Sequence, residues 1–437
     1  MILSRERSQL GKVARKAVLL TALSCSLSVH VSAQEEPEVA HVLLAKKALI
    51  CGADGRETIN NAAVIFRDGK IEAVGRQGEL ELPLGAVIHD LGDSWVMPGM
   101  IDLHSHIAGS GYNDMIYQCN PGLRASVSVT PQNERLNMGM LGGVTTILFI
   151  PGSGTNIGGQ GVLMKTGPGD FEDLVIRDPG SMKVAQGDNP KRWGYGMQRT
   201  MMNHHIRVTL RKGKAYAKRW EAFERGDGER PERHLHLDIF RDLEAKRTQI
   251  STHTQYYQVV LASLNILKGE FGFDAYIDHG SFDSWPLGQI AEEMGVAAIL
   301  GPREVLFPRA ATYPKDGRVE GSAWGFQKEG HSMIGFNTDA PVVPQEELPL
   351  QSAMGVRYGF DNSEFDAVRG VTIVPAQVAT IDHRVGSLMA GKDADLLVVT
   401  GDPSDPRSAV EMVWIDGVLA SDVRGSYGSD REAVRRW

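Results

Sequence analysis

Cysteine is nearly absent. The 437 residues contain three, Cys25, Cys51 and Cys119. A fold stapled by several disulfides is therefore excluded, and a Cys51–Cys119 pair is the one bridge left open outside the first stretch of chain. Blocks of like charge are missing too. The formal net charge of −8 comes from interspersed acidic and basic residues, which speaks against nucleic acid as a partner. Beyond the first stretch no apolar run is long enough to cross a bilayer, so no membrane span is expected in the mature chain. Glycine, in contrast, is plentiful at 49 residues, in keeping with many short turns. The composition is otherwise that of an ordinary globular protein.

The first stretch reads as a segment to be removed. Arg5, Arg7, Lys12, Arg15 and Lys16 precede an apolar and small-residue run from Ala17 to Val31, and "VSA" stands before Gln34. This is the layout of a secretory signal over 1–33, and it predicts export to the periplasm or beyond. Serines interrupt the run, which argues against an uncleaved anchor. Ala22 is a poor residue three places before Cys25, which argues against lipid attachment there.

Short apolar runs separated by turn signals fill 38–96, with Asp68-Gly69 marking a hairpin. The same style returns over 371–421, in "ADLLVVTGDP" and "EMVWIDGVLA", before a polar tail at 422–437. Two all-β ends around a different middle predict that both ends meet in one small β domain, a β-sandwich. The middle, 97–370, carries eight short apolar strands, each followed by a longer helical or irregular segment. That number and size predict an α/β fold, a (β/α)8 TIM-type barrel. Residues 185–235, rich in Arg, Lys and Trp, read as an insertion or long loop with some helix.

In such a barrel the carboxyl ends of the strands carry the chemistry. The first strand ends in "HSH", His104 and His106, and residues two apart on a strand face the same side. That spacing presents two imidazoles to one metal ion. A second pair, His234 and His236, lies in a charged stretch of helical character where the rings would diverge, so a surface role is expected. The fourth strand carries Lys183, the fifth ends at His253, the sixth at His279 and the eighth at Asp339. Singly, each histidine has an ordinary reading as a hydrogen-bonded core residue, and Asp339 as a turn former. Together they put four histidines, a lysine and an aspartate at one end of one barrel, which favours a metal site.

"VMPGMIDLHSH", "GFNTDAP" and "RVGSLMAGKDADLLVV" resemble the amidohydrolase superfamily of metal-dependent hydrolases, nearly end to end and including the split β domain. The resemblance implies one or two divalent ions, zinc first and iron or manganese as alternatives. It places the first ion on His104, His106 and Asp339, and the second on His253 and His279. Lys183 matches the position of a carboxylated lysine that bridges two ions, with Lys165 as its rival. Asp339 would then shuttle a proton during hydrolysis of a carbon–nitrogen bond in a small molecule, a dipeptide or N-acyl amino acid. The branch suggested is prolidase-like or imidazolonepropionase-like. If Lys183 were structural, a single-metal cyclic-amide hydrolase would follow. A deaminase is disfavoured because no Glu follows His253 in "STHTQYYQ", and a non-catalytic barrel because all six positions are filled. Asn156 and Gln160 in "SGTNIGGQG", and Arg303 after the seventh strand, are candidate substrate contacts. A homo-oligomer is left open.

Overall fold

The computed structural model describes residues 39–52, 58–111, 113–115, 117–187, 189–193, 198–301 and 321–424. The expected leader at 1–33, Arg303 and the tail from 425 onward lie outside these residues.

Strands from both chain ends form one sheet. The N-terminal part supplies β1 (His41–Leu49), β2 (Thr58–Arg67), β3 (Lys70–Arg76), β4 (Val87–Asp90) and β5 (Trp95–Pro98). Eight barrel strands follow in the chain: β6 (Met100–Ser105), β7 (Val144–Phe149), β8 (Ile157–Lys165), β9 (Val175–Ala185), β10 (Gln249–Thr254), β11 (Ala275–His279), β12 (Ala298–Leu300) and β13 (Ile334–Phe336). The C-terminal part adds β14 (Leu396–Val399), β15 (Val410–Ile415) and β16 (Val418–Asp422). The end sheet runs β16-β15-β14-β5-β1-β2-β3, with β4 beside β1, so β5 joins the two chain ends.

The hairpin signals are met locally. Asp68 and Gly69 have φ of 50° and 73°, and Asp416 and Gly417 have 47° and 76°, the left-handed pairs that tight hairpins require. The sheet also curls over. Trp414 of β15 meets Phe66 of β2 edge-on at 5.0 Å between ring centroids, although three strands separate them in the sheet. Flat, the two strands would stand about 19 Å apart, at roughly 4.8 Å per step. Leu43, Val64, Val96, Leu396 and Met412 fill the space inside the curl.

The eight barrel strands pair in chain order from β6 to β13. The ring nearly closes where Ser105 bridges Ala340 and the His106 N–H donates to the Ala340 carbonyl at 2.8 Å. One strand departs from the expected alternation: β8 lies antiparallel to both β7 and β9. The connection at 150–156 is shorter than the dozen or so residues a parallel crossover needs, so the chain turns straight back. The start of β8 therefore lies beside the carboxyl ends of its neighbours, and its last residue, Lys165, lies at the opposite end of the barrel.

Within 185–235 the chain forms a 26-residue helix, Arg199–Glu224. Its Ile206, Leu210 and Ala217, at helical spacing, share an apolar cluster with Met182 and Val184 of β9 and Ile250 of β10. Cys51 and Cys119 are free thiols, so the bridge left open by the sequence is not made. No helix among the described residues is long and apolar enough to cross a membrane.

Candidate active site

The site is built from nitrogens whose hydrogens are spent elsewhere. His106 Nδ1 lies 2.8 Å from the Ile150 carbonyl and His279 Nδ1 lies 2.7 Å from the Gly301 carbonyl. A carbonyl only accepts, so each Nδ1 must donate, and each Nε2 keeps a bare lone pair. His104 Nδ1 likewise donates to Asp278 Oδ2 at 2.6 Å. The freed atoms converge. His104 Nε2 lies 3.2 Å from His106 Nε2, 3.2 Å from Asp339 Oδ1 and 3.1 Å from Lys183 Nζ. Asp339 Oδ1 is 3.3 Å from His106 Nε2, and Asp339 Oδ2 is 3.8 Å from His279 Nε2. His279 Nε2 is in turn 2.8 Å from His253 Nδ1. All six residues singled out from the sequence thus meet at one barrel mouth.

Backbone strain explains how neighbours can share the site. Side chains alternate faces along a strand, yet Asp278 and His279 both reach the cluster, as do Thr338 (through Asp102) and Asp339. His279 has φ 75° and Asp339 φ 51°, left-handed conformations that break the alternation at the strand ends. Each such residue costs on the order of 1–3 kcal/mol, a cost typical of functional sites.

Burial and charge set the protonation states. Burial, with His279 adding to it, holds His253 well below the ordinary imidazole value. Burial and His104 bring His279 down to about 4, and burial also lowers His106. Burial pushes Lys183 down to about 8 against the pull of Asp278 and Asp339. For Asp339 burial acts upward, but the neighbouring His104 and His279 imidazoles outweigh it and keep the carboxyl well below its usual range. His104 is raised, because the Asp278 charge beside it overcomes the effect of burial.

Several supporting residues were not read from the sequence. Asp278 anchors His104, and the Asn337 amide donates to its second oxygen at 3.3 Å. Asp102 accepts from the His104 N–H at 3.0 Å, from Thr338 Oγ1 at 2.5 Å and from Gln345 Nε2 at 3.2 Å, tying both ends of the barrel seam. Burial raises Asp102 to about 6. Ser153 Oγ lies 2.9 Å from His253 Nδ1. At Gly187 a Cβ would come within 2.9 Å of the His253 ring, so a side chain there would displace it. The signal for the two aspartates was present, since Asp102 and Asp278 flank candidate ligands in "IDLH" and "IDHG". What was missing is knowledge of which ring each faces.

The other candidates sort differently. Asn156 and Gln160 are buried, and their amides donate to the Ala185 carbonyl at 3.0 Å and the Pro121 carbonyl at 2.8 Å, so both brace the walls of the mouth. Arg303 lies outside the described residues. Lys165, the rival to Lys183, spends its ammonium on Asp393, Asp395 and Asp416 at 2.7–3.1 Å, away from the cluster. His234 and His236 are exposed, as expected, but in a turn rather than a helix.

The residues present fit a divalent ion. His104, His253 and His279, and separately His104, His106 and Asp339, offer ligand atoms within 4.8 Å of one another. Two nitrogens bound at 2.0–2.1 Å to a tetrahedral ion stand about 3.3 Å apart, close to the 3.2 Å between His104 and His106. His253 Nε2 is buried without a hydrogen-bond partner, and His104 Nε2 faces His106 Nε2 at 3.2 Å, with the Nδ1 hydrogen of each ring already donated elsewhere. A cation between them satisfies both. Fold and site together define a barrel protein with a histidine–carboxylate cluster, fit to hold a metal ion, at the carboxyl ends of its strands.

Comparison with known proteins agrees. The amidohydrolase family model matches residues 329–420. Amidohydrolase tasK of Hapsidospora irregularis is 27% identical over 384 residues, 78% of this chain and 38% of that protein. Imidazolonepropionase of Ralstonia nicotianae is 40% identical over 74 residues, 16% of this chain and 17% of that one. The chain thus spans well under two thirds of the length of these relatives. An amidohydrolase crystal structure from Thermotoga maritima superposes with a TM-score of 0.76 at 27% identity, covering 87% of this chain and 99% of that one. A prolidase solved with n-methylphosphonate-l-proline shares the fold at a TM-score of 0.54 and 17% identity, over 88% and 100%. These similarities support placing the chain in the amidohydrolase superfamily.

Proposed function

We propose that the protein hydrolyses a carbon–nitrogen bond of amide type in a small molecule, using one or two divalent ions. Zinc suits imidazole and carboxylate ligands best, with iron or manganese as alternatives. The observation that carries this reading is the convergence of bare imidazole nitrogens on the ionised Asp339. His104, His106 and Asp339 would hold one ion, and His253 with His279 the other. An ion bound there polarises a carbonyl and lowers the pKa of water.

The chain supplies the rest. Asp339, held as a carboxylate, takes a proton from water as the water oxygen bonds to the carbonyl carbon. The same carboxyl then gives that proton to the nitrogen as the carbon–nitrogen bond breaks. Lys183 sits 3.1 Å from His104 Nε2 with its amine poised toward neutrality. A neutral amine adds carbon dioxide: Nζ bonds to carbon, a proton leaves, and the side chain becomes an anionic carbamate fit to lie between two cations. The relatives named amidohydrolase, imidazolonepropionase and prolidase support a carbon–nitrogen bond as the target. With the leader expected at 1–33, the setting we propose is outside the cytoplasm.

A second reading, cyclic-amide hydrolysis at a single ion, draws on the imidazolonepropionase relatives. Metal content per chain, measured for the wild type and Lys183→Ala alongside hydrolysis of a panel of dipeptides, N-acyl amino acids and cyclic amides, separates the two. Two ions falling to one or none with loss of turnover is the expected result. One ion in both proteins would favour the cyclic-amide reading, and no turnover of any amide by the metal-loaded wild type would refute hydrolysis.

A further inference from the structure

His253 is turned the other way from the rings around it. His104, His106 and His279 each give the Nδ1 hydrogen to an acceptor behind the ring, Asp278, the Ile150 carbonyl and the Gly301 carbonyl in turn. Each then presents Nε2 to the cluster. In His253 it is Nδ1 that meets the cluster, 2.8 Å from His279 Nε2. Its other nitrogen, Nε2, is buried and has no hydrogen-bond partner among the described residues. The anchor that orients each of the other three rings is therefore missing from this one.

Two contacts take its place. A Cβ at Gly187 would come within 2.9 Å of His253 Cδ2 and 3.1 Å of Nε2, so that edge of the ring rests on bare backbone. On the cluster side, the buried Ser153 hydroxyl lies 2.9 Å from Nδ1. A hydroxyl oxygen suits both states of that nitrogen. A hydrogen on Nδ1 is shared between the bare His279 Nε2 and Ser153 Oγ. Without that hydrogen, Ser153 Oγ presents a lone pair to a cation held by the two nitrogens. The ring keeps one orientation in either case.

Ser153 reaches this place because β8 runs backwards. The connection at 150–156 stays at the mouth instead of crossing the outside of the barrel. It serves both groups of ligands, since the Ile150 carbonyl fixes His106 and, three residues on, Ser153 meets His253. The connection is itself pinned. The Gly154 N–H donates to Asn113 Oδ1 at 3.0 Å, and the Asn156 amide donates to the Ala185 carbonyl at 3.0 Å.

We infer that Ser153 is a positioning residue for the second ion. Its hydroxyl holds the His253 ring with Nδ1 toward His279 and so makes the two nitrogens a preformed pair. This rests on the two-ion reading above and adds to it the residue that sets the second site.

The test is metal binding, with zinc alone as the probe, added to metal-free protein in competition with a chromophoric chelator. His253→Ala marks the second binding step as the one it removes. In Ser153→Ala that step is expected to weaken by about tenfold or more, with the other step within about twofold of the wild type. Cadmium NMR of the cadmium-loaded protein gives an independent signature. Of two resonances, only the one missing from His253→Ala should shift in Ser153→Ala, whereas a general loosening of the fold would move both. Unchanged binding in Ser153→Ala, or both steps weakened alike, would overturn the role. A wild type with one binding step that survives His253→Ala would overturn it together with the two-ion reading. The expected affinities without hydrolysis of any amide would keep the role of Ser153 and count against the hydrolase reading instead.

Discussion

Asp339 carries two demands at the scale of single residues. It must lie among the imidazole nitrogens and also exchange a proton with water and the departing nitrogen. Asp339→Asn keeps the side-chain volume but loses the charge and the proton-accepting role. We expect turnover to fall by about 10²–10⁴-fold, with a circular-dichroism spectrum unchanged from the wild type. A variant that retained its rate would remove Asp339 from the chemistry. Asp278 acts one step back, through the 2.6 Å hydrogen bond that fixes the His104 ring. Asp278→Asn is expected to weaken metal affinity by about 10–100-fold in competition with a chromophoric chelator, the usual cost of losing such an anchor. Affinity equal to the wild type would mean that other contacts orient His104.

Among the elements, β8 is the informative one. Because it runs against its neighbours, it carries Asn156 and Gln160 toward the mouth and Lys165 to the far end. There Lys165 is buried with Asp393 and Asp395 and reaches Asp416, while Arg384 and Lys70 also bind Asp393. These residues include three of the four charged positions of "RVGSLMAGKDADLLVV", Arg384, Asp393 and Asp395, so that motif helps to clamp the barrel strand to the C-terminal strands. Three lysine and arginine charges face three carboxylates. Lys165→Met would leave carboxylates buried without their partner, and a loss of roughly 3–5 kcal/mol is expected in urea unfolding. A loss below about 1 kcal/mol would show that Arg384 and Lys70 suffice.

For the whole molecule, the same clamp predicts how acid acts on stability. Burial tends to raise the Asp393 carboxyl, but the Lys165 charge, the Lys70 hydrogen bond and Arg384 together bring it down to about 2. An unfolded aspartate titrates near 3.9, so the folded group is depressed. Its contribution is complete above about pH 4 and is lost as pH falls through about 2. Unfolding free energy measured at intervals from pH 5 to 2 should therefore drop across that window, and the drop should shrink in Asp393→Asn. An identical slope in the variant would place the acid sensitivity elsewhere.

Much of this was legible in the sequence, for a physical reason. Strand alternation, Asp-Gly turns and apolar run lengths are local rules, so eight barrel strands and two β ends could be counted from the chain. Polar residues at the ends of apolar strands stand out against their neighbours, and His104, His106, Lys183, His253, His279 and Asp339 were found that way. What tertiary structure alone decided is direction and partnership. The reversal of β8 follows from a short connection whose path depends on the strands around it, and it took Lys165 away from the cluster. The left-handed turns at His279 and Asp339 let consecutive residues share one site, against the alternation by which the sequence was read. Asp102 and Asp278 were visible as letters but not as anchors. The ring each one holds lies on another strand, and such a contact exists only once the barrel has closed.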